Sequence, residues 1–135
     1  MAVAGRKLAL PATRVRRLVR GVLAGERRAA AISVTFLGRR AMQTLNKRWK
    51  DHDRPTDVIS FALPGAAGDL VGDIYICPDV AEREARRRAL PLREELSRLV
   101  IHGTLHVLGG NHPEGEGRER SAMWRKQERY LERLG

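Results

Sequence analysis

Apolar residues fall along this chain at two spacings, and each spacing names an element. Val15, Leu18, Val19 and Val22 lie three and four apart, the stripe of an amphipathic helix from about Thr13 to Ala24, which Thr13 can cap and Gly25 can end. Residues 1–11 carry at most a short strand. Ala30 to Leu37 is β-branched and apolar and is bounded by Gly38, so it reads as a strand. Met42, Leu45 and Trp49 return to helical spacing over Arg39 to Trp49. Lys50 to Pro55 is charged and closes on proline, the composition of a loop. Two further strands, Asp57 to Leu63 and Val71 to Cys77, are joined by a short turn at 66–69, which predicts an antiparallel pair. Pro78 suits the first turn of a helix running to about Arg88, with Asp79 at its positive end. Leu92 to Leu108 is different in kind. Leu92, Leu96, Leu99, Val100, Val107 and Leu108 lie around most of its circumference, so this helix is predicted to be central and packed on several sides. A last helix, Arg118 to Leu134, carries Met123, Trp124, Gln127, Tyr130 and Leu131.

Length and composition narrow the class. The 135 residues suffice for one domain, taken here as 1–135. Lys and Arg number 26 against 16 Asp and Glu, a net charge of +10 that favours an anionic partner such as nucleic acid, although a basic solvated surface has the same composition. Cys77 is the only cysteine, which excludes an internal disulfide and suits a reducing cytoplasm. It sits in the apolar run IYIC, where a buried, inert thiol is expected. No apolar stretch is long enough to span a bilayer, and the N-terminus has no adequate signal-peptide core, so neither membrane nor export is expected.

The central helix also carries the chemistry. Ile101 to His112 reads IHGTLHVLGGNH and contains three of the four histidines. His102 and His106 are four apart, on one helix face. Gly109 and Gly110 then let the chain turn back, bringing His112 over the pair as a third nitrogen donor. Three imidazoles leave a fourth tetrahedral position open, the arrangement of a catalytic zinc site, although the same donors also suit nickel or copper. The spacing HxxxHxxGxxH matches that of metzincin proteases, but the glutamate those enzymes use as base is Gly103 here. Around this centre, Lys50, His52 and Arg54 form a basic loop that could grip phosphate if it lies beside the metal. Arg98, four before His102, could face the same cleft, or pair with Glu94 or Glu95. Asp57 could orient a histidine, with local backbone hydrogen bonding as the stronger competitor. Glu114 and Glu116 could act as base, with loop solvation the favoured reading.

HGTLHVLGGNH resembles the HGxLHLxGYDH motif of the YbeY family of bacterial rRNA-maturation endoribonucleases. LNKRWKDHDRPTDVISF is similar to that family's LNxxxR…TDVLSF block, and GDIYIC to its GDIxI strand, in the same order. The resemblance covers roughly Ala31 to Leu134. It implies an α+β fold: a small mixed sheet of about four strands, about five helices around it, and a central helix bearing the zinc ligands. It implies His102, His106 and His112 as those ligands. It also implies a single-strand-specific endoribonuclease that acts on rRNA, including the 3′ end of small-subunit rRNA, and in ribosome quality control. The chain departs from the pattern at Lys50, where the family has an Arg thought to help cleavage, and at Gly110-Asn111, where it has Tyr-Asp. Lysine keeps the charge but loses the bidentate fork that suits phosphate.

Three readings follow. The first is a zinc-dependent endoribonuclease working with rRNA and the small ribosomal subunit, with Lys50 as a candidate catalytic cation and Lys50, Arg54 and Arg98 as candidate substrate contacts. The second is a non-catalytic, zinc-containing ribosome-assembly factor. The third is a zinc protease, supported by ligand spacing alone.

Overall fold

The computed structural model describes residues 2–5, 9–65, 69–109 and 117–135. Among these residues four strands and five helices follow one another as β1 (Ala2–Gly5), α1 (Ala12–Glu26), β2 (Ala31–Phe36), α2 (Arg39–Lys50), β3 (Val58–Pro64), β4 (Leu70–Ile76), α3 (Pro78–Arg87), α4 (Leu92–Val107) and α5 (Gly117–Leu134). The sheet has the order β1-β2-β4-β3. The β1–β2 and β2–β4 pairs are parallel and β3–β4 is antiparallel. This is the mixed α+β fold the resemblance implied, with the β3–β4 hairpin that the short connection predicted.

Strand pleating gives the sheet two unlike faces. Ile32, Val34, Phe36, Ile74 and Ile76 point to one face and bury against Val15, Leu18, Val19 and Val22 of α1 and the apolar residues of α4. Ile59 points to the other face, where it packs with Met42 of α2 and with Cys77, and where Phe61 and Tyr75 are only half-buried. Cys77 is fully buried, and burial pushes its thiol up, as an inert core thiol requires.

α4 is the central element. Glu95 to Ile101 are buried without interruption, and so are Gly103, Thr104, Leu105 and Val107. It touches α1, α3, α5, β3 and β4. Three helix ends differ from expectation. α1 begins at Ala12 after Pro11, with no side-chain cap bond, so Thr13 lies inside the helix and does not cap it. α1 runs through Gly25 to Glu26 and stops at Arg27, in the left-handed conformation at φ 55°; Gly25 is helical, and the Tyr130 ring fills the space a side chain there would need. α2 takes in Lys50, and Asp51 ends it at φ 58°. Lys50 is therefore the last residue of a helix and not the first of the loop.

Gly103 explains why the protease glutamate has no counterpart here. A Cβ at this position would lie 2.7 Å from Ile74 Cγ2 and 3.1 Å from Ser60 Oγ. This side of α4 is pressed against the sheet, so a glutamate there would point into the core and away from any ligand held by the histidines. Ile74 is fully buried and has no room to retreat. Gly103→Ala should therefore lower unfolding free energy by about 1–3 kcal/mol in denaturant titrations, the cost of overpacking. An unchanged midpoint would show that the helix and sheet are not held this closely.

Candidate functional site

Because residues four apart share a helix face, α4 presents His102 and His106 together. Their ring centroids are 4.3 Å apart with the planes tilted by 54°, and both side chains are half-buried. Gly109, at φ 125°, ends the helix by turning the chain, and its N–H bonds to the His106 carbonyl at 3.2 Å. The expected third donor, His112, lies outside the described residues, as do Gly110, Asn111, Glu114 and Glu116. Among the described residues no group of three or more His, Cys, Asp or Glu side chains is arranged to hold a metal ion. The paired imidazoles are compatible with two sites of the expected donor set.

Gln127 of α5 supplies a feature that spacing alone did not reveal. Its Oε1 lies 2.6 Å from His102 Nδ1. An amide oxygen only accepts, so Nδ1 carries the proton and donates, which leaves the Nε2 lone pair of neutral His102 for a ligand. A buried acceptor behind a metal-binding histidine fixes its tautomer and its aim. Gln127 is 2% exposed, and its own Nε2 donates to Glu128 Oε2 at 3.1 Å. The signal was present in the sequence: Gln127 is the lone polar residue on the α5 stripe of Met123, Tyr130 and Leu131.

Arg98 anchors the far end of the same chain of bonds. Its Nε and Nη2 donate to the two oxygens of Glu128 at 2.9 and 3.0 Å, and its Nη1 donates to Glu95 at 2.7 Å. Glu94 lies 3.5 Å away, and Arg88 adds a second cation at 3.6 Å from Glu95. Arg98 and Glu95 are both buried. The carboxylate pairing weighed as the alternative for Arg98 is the one observed. This corrects the expectation that Arg98 faces a substrate cleft, because its guanidinium is turned inward and shared among carboxylates. The Glu128 hydrogen bond raises its pKa against the opposing effect of burial, and Glu95 adds to the rise.

Asp57, just before β3, feels the same region. Burial pushes its carboxyl up, opposed by the Val58 N–H and by the nearby charge of His102. Its main-chain oxygen accepts from the Cys77 N–H at 2.9 Å. Local bonding thus holds Asp57, while the acceptor that orients His102 is Gln127.

The basic loop is placed differently from expectation. Phe61 and Ser60 alternate across β3, and Ser60 faces α4. The Lys50 ammonium stands over the Phe61 ring, 5.2 Å from its centroid, on the face opposite α4. The structure therefore brings His102, His106, Asp57 and Gln127 together and sets Lys50 on the other side of the edge strand. Arg54 and His52 are exposed. Asn46, buried at the end of α2, pins their loop by donating to the Arg54 carbonyl at 2.8 Å and accepting from the His52 N–H at 3.3 Å.

Comparison with known proteins gives a consistent result. The family model described as Endoribonuclease YbeY matches residues 4–135. A protein of Chlorobium luteolum described as Endoribonuclease YbeY is 39% identical over 119 residues, which cover 87% of this chain and 85% of that one. Its namesake in Thermotoga petrophila is 36% identical over 76% of this chain and 67% of its own length. The solution structure of TM1509 from Thermotoga maritima superposes with a TM-score of 0.70 at 26% identity, covering 98% of this chain and 87% of the other. No described helix is long and apolar enough to cross a membrane.

Replacing Gln127 by Leu keeps its volume and removes the acceptor, and should weaken zinc binding about 10- to 100-fold in chelator competition. Gln127→Glu, which retains an acceptor, should lose less. Equal affinity in all three proteins would remove the orienting role. A second expectation concerns acid. Burial alone would raise Glu128, but its bonds to Arg98 and Gln127 hold it below the usual carboxylate range. A depressed folded-state pKa contributes stability above the ordinary glutamate pKa of about 4.3, and that stability is lost as pH falls through the folded value. Thermal midpoints should therefore drop more steeply below pH ~4 in the parent than in Glu128→Gln. Parallel curves would contradict this.

Proposed function

The chain belongs to the YbeY endoribonuclease family, and from that premise we propose that it is a zinc-dependent endoribonuclease that cuts single-stranded rRNA during ribosome maturation, including the 3′ end of small-subunit rRNA. The observation that carries the reading is the half-buried His102–His106 pair on a rigid helix, with His102 fixed in the Nδ1–H tautomer by Gln127. His102, His106 and His112 would hold the ion. When bound, zinc would supply Lewis acidity toward a phosphodiester oxygen and make water a stronger acid near neutral pH.

The chain's own residues do the remaining work. Gln127 accepts from His102 Nδ1 and keeps the imidazole aimed. Arg98, Glu128 and Glu95 hold Gln127 in place and present no open charge to the substrate. Asp57 is raised by burial and feels the charge of His102, while the Val58 N–H holds its carboxylate. Lys50, over the Phe61 ring, and the exposed Arg54 would grip phosphates of an RNA strand bent around the sheet edge. Lys50 in the place of arginine provides a point charge there and not a fork. The net charge of +10 supports an RNA partner, and working on the small ribosomal subunit in the cytoplasm, including ribosome quality control, follows from the same reading.

Protease chemistry of the metzincin kind is disfavoured, because the position of its base is occupied by Gly103 and the sheet behind it. Purified protein should convert a precursor small-subunit rRNA to discrete products in the presence of zinc and leave casein intact. Chelator should stop the cut, and His102→Ala should lower the rate at least 100-fold while the circular dichroism spectrum stays that of the parent. Discrete cleavage that survives both treatments would refute the proposal. Unprocessed rRNA with a fully zinc-loaded, folded parent would favour the non-catalytic assembly factor.

A further inference from the structure

The sheet face turned away from α4 carries a row of aromatic rings that the metal site does not use. Trp49, at the end of α2, is 59% exposed. Its ring meets Phe61 edge to face, with centroids 6.1 Å apart at 74°, and Phe61 meets Tyr75 in the same way at 6.0 Å and 76°. Leu63, two residues along β3 on the same face, is 54% exposed. Among the described residues the exposed large apolar side chains are Trp49, Leu63 and Trp124, so two of the three lie on this one face. A contiguous apolar patch left in water marks a binding surface.

Cations are interleaved with the rings. The Arg48 guanidinium stands 5.4 Å from the Trp49 centroid, and Lys50 Nζ stands 5.2 Å from that of Phe61. Beside them an open groove of about 710 Å³ is lined by Arg40, Lys47 and Arg48, with Asp53 the single acid. Arg48 thus belongs both to the groove and to the aromatic row. Alternating ring faces and cations match a chain that alternates flat bases and phosphates. A duplex conceals its base faces and could use only the groove.

We propose that this face is a stacking platform for single-stranded RNA, with bases on Trp49 and Phe61 and phosphates on Arg40, Lys47 and Arg48. The proposal rests on the ribonuclease reading and extends it by locating where the strand is held away from the cut. Exposed cation–π contacts are weaker than base–aromatic stacking, so an arriving base displaces Lys50 from Phe61 and frees its ammonium for a phosphate. Among the described residues β3 is an edge strand, and that edge joins this platform to the α4 face.

The test uses a fluorescein-labelled oligoadenylate, a duplex RNA of equal length, and chelator throughout so that nothing is cut. Trp49→Ala should weaken binding of the single strand about ten-fold by anisotropy, Trp49→Phe should retain most of it, and thermal midpoints should stay together. Binding of the duplex should be indifferent to both changes. In a Trp124→Phe background, where Trp49 is the sole tryptophan, the single strand should quench its emission. Equal affinity of parent and Trp49→Ala, unquenched emission at saturation, or an equal loss for the duplex would each overturn the platform. The nuclease reading fails separately. A protein that binds through Trp49 but leaves precursor rRNA uncut with zinc keeps the platform and loses the activity. One that cuts while ignoring Trp49 does the reverse.

Discussion

The 2.6 Å hydrogen bond from His102 to Gln127 joins the helix that carries the candidate ligands to the last helix of the chain. Without it, His102 would be a half-buried imidazole free to exchange tautomers and to rotate. With it, the proton is committed to Nδ1, and the ring is fixed by a side chain that is itself buried and bonded. Behind Gln127 the bonds continue through Glu128 and Arg98 to Glu95, back on α4. This loop of contacts starts and ends on one helix and passes through another. Removing one member of such a buried charge cluster costs about 3 kcal/mol, because the others stay buried and unpaired. Replacing the whole cluster by apolar residues of similar volume would cost little, so the cluster does more for aim than for net stability.

The other side of α4 is held by shape. Gly103 lets the helix settle against Ile74 and Ser60, closer than any residue with a side chain would permit. Helix position along the sheet and histidine aim are thus set by different interactions, one steric and one polar. An enzyme that positions a phosphate by an ion needs both, since a misplacement of about 1 Å can cost a hundredfold in rate. The sheet separates two chemistries in the same way. Its α4 face bears the imidazoles, and its outer face bears aromatics and cations. The strand between them, β3, lies at the edge of the sheet among the described residues.

Much of this was legible in local pattern. The four-residue spacing of His102 and His106, the apolar circumference of α4 and the turning Gly109 are all short-range signals, and the structure keeps them. What could not be read depends on long-range pairing. The order β1-β2-β4-β3 is one case, because a period of two tells which face a residue takes and not which strand lies beside it. Lys50 followed the same rule. Its charge was evident, but its side of β3 is fixed by the pleat at Phe61. Arg98 shared a helix face with the histidines, yet its strongest partner, Glu128, comes from a helix 30 residues away. Gln127 was visible as a polar break in an apolar stripe, and only the packing of α5 on α4 gives that break a meaning.

In the proposed centre three imidazoles would meet at one ion, with His112 joining the pair on α4. X-ray absorption of the zinc-loaded protein tests this directly. It predicts three imidazole nitrogens at about 2.0–2.1 Å and one further light-atom ligand in four-coordinate geometry. A spectrum with a sulfur shell near 2.3 Å, or with fewer than three imidazoles, would contradict it.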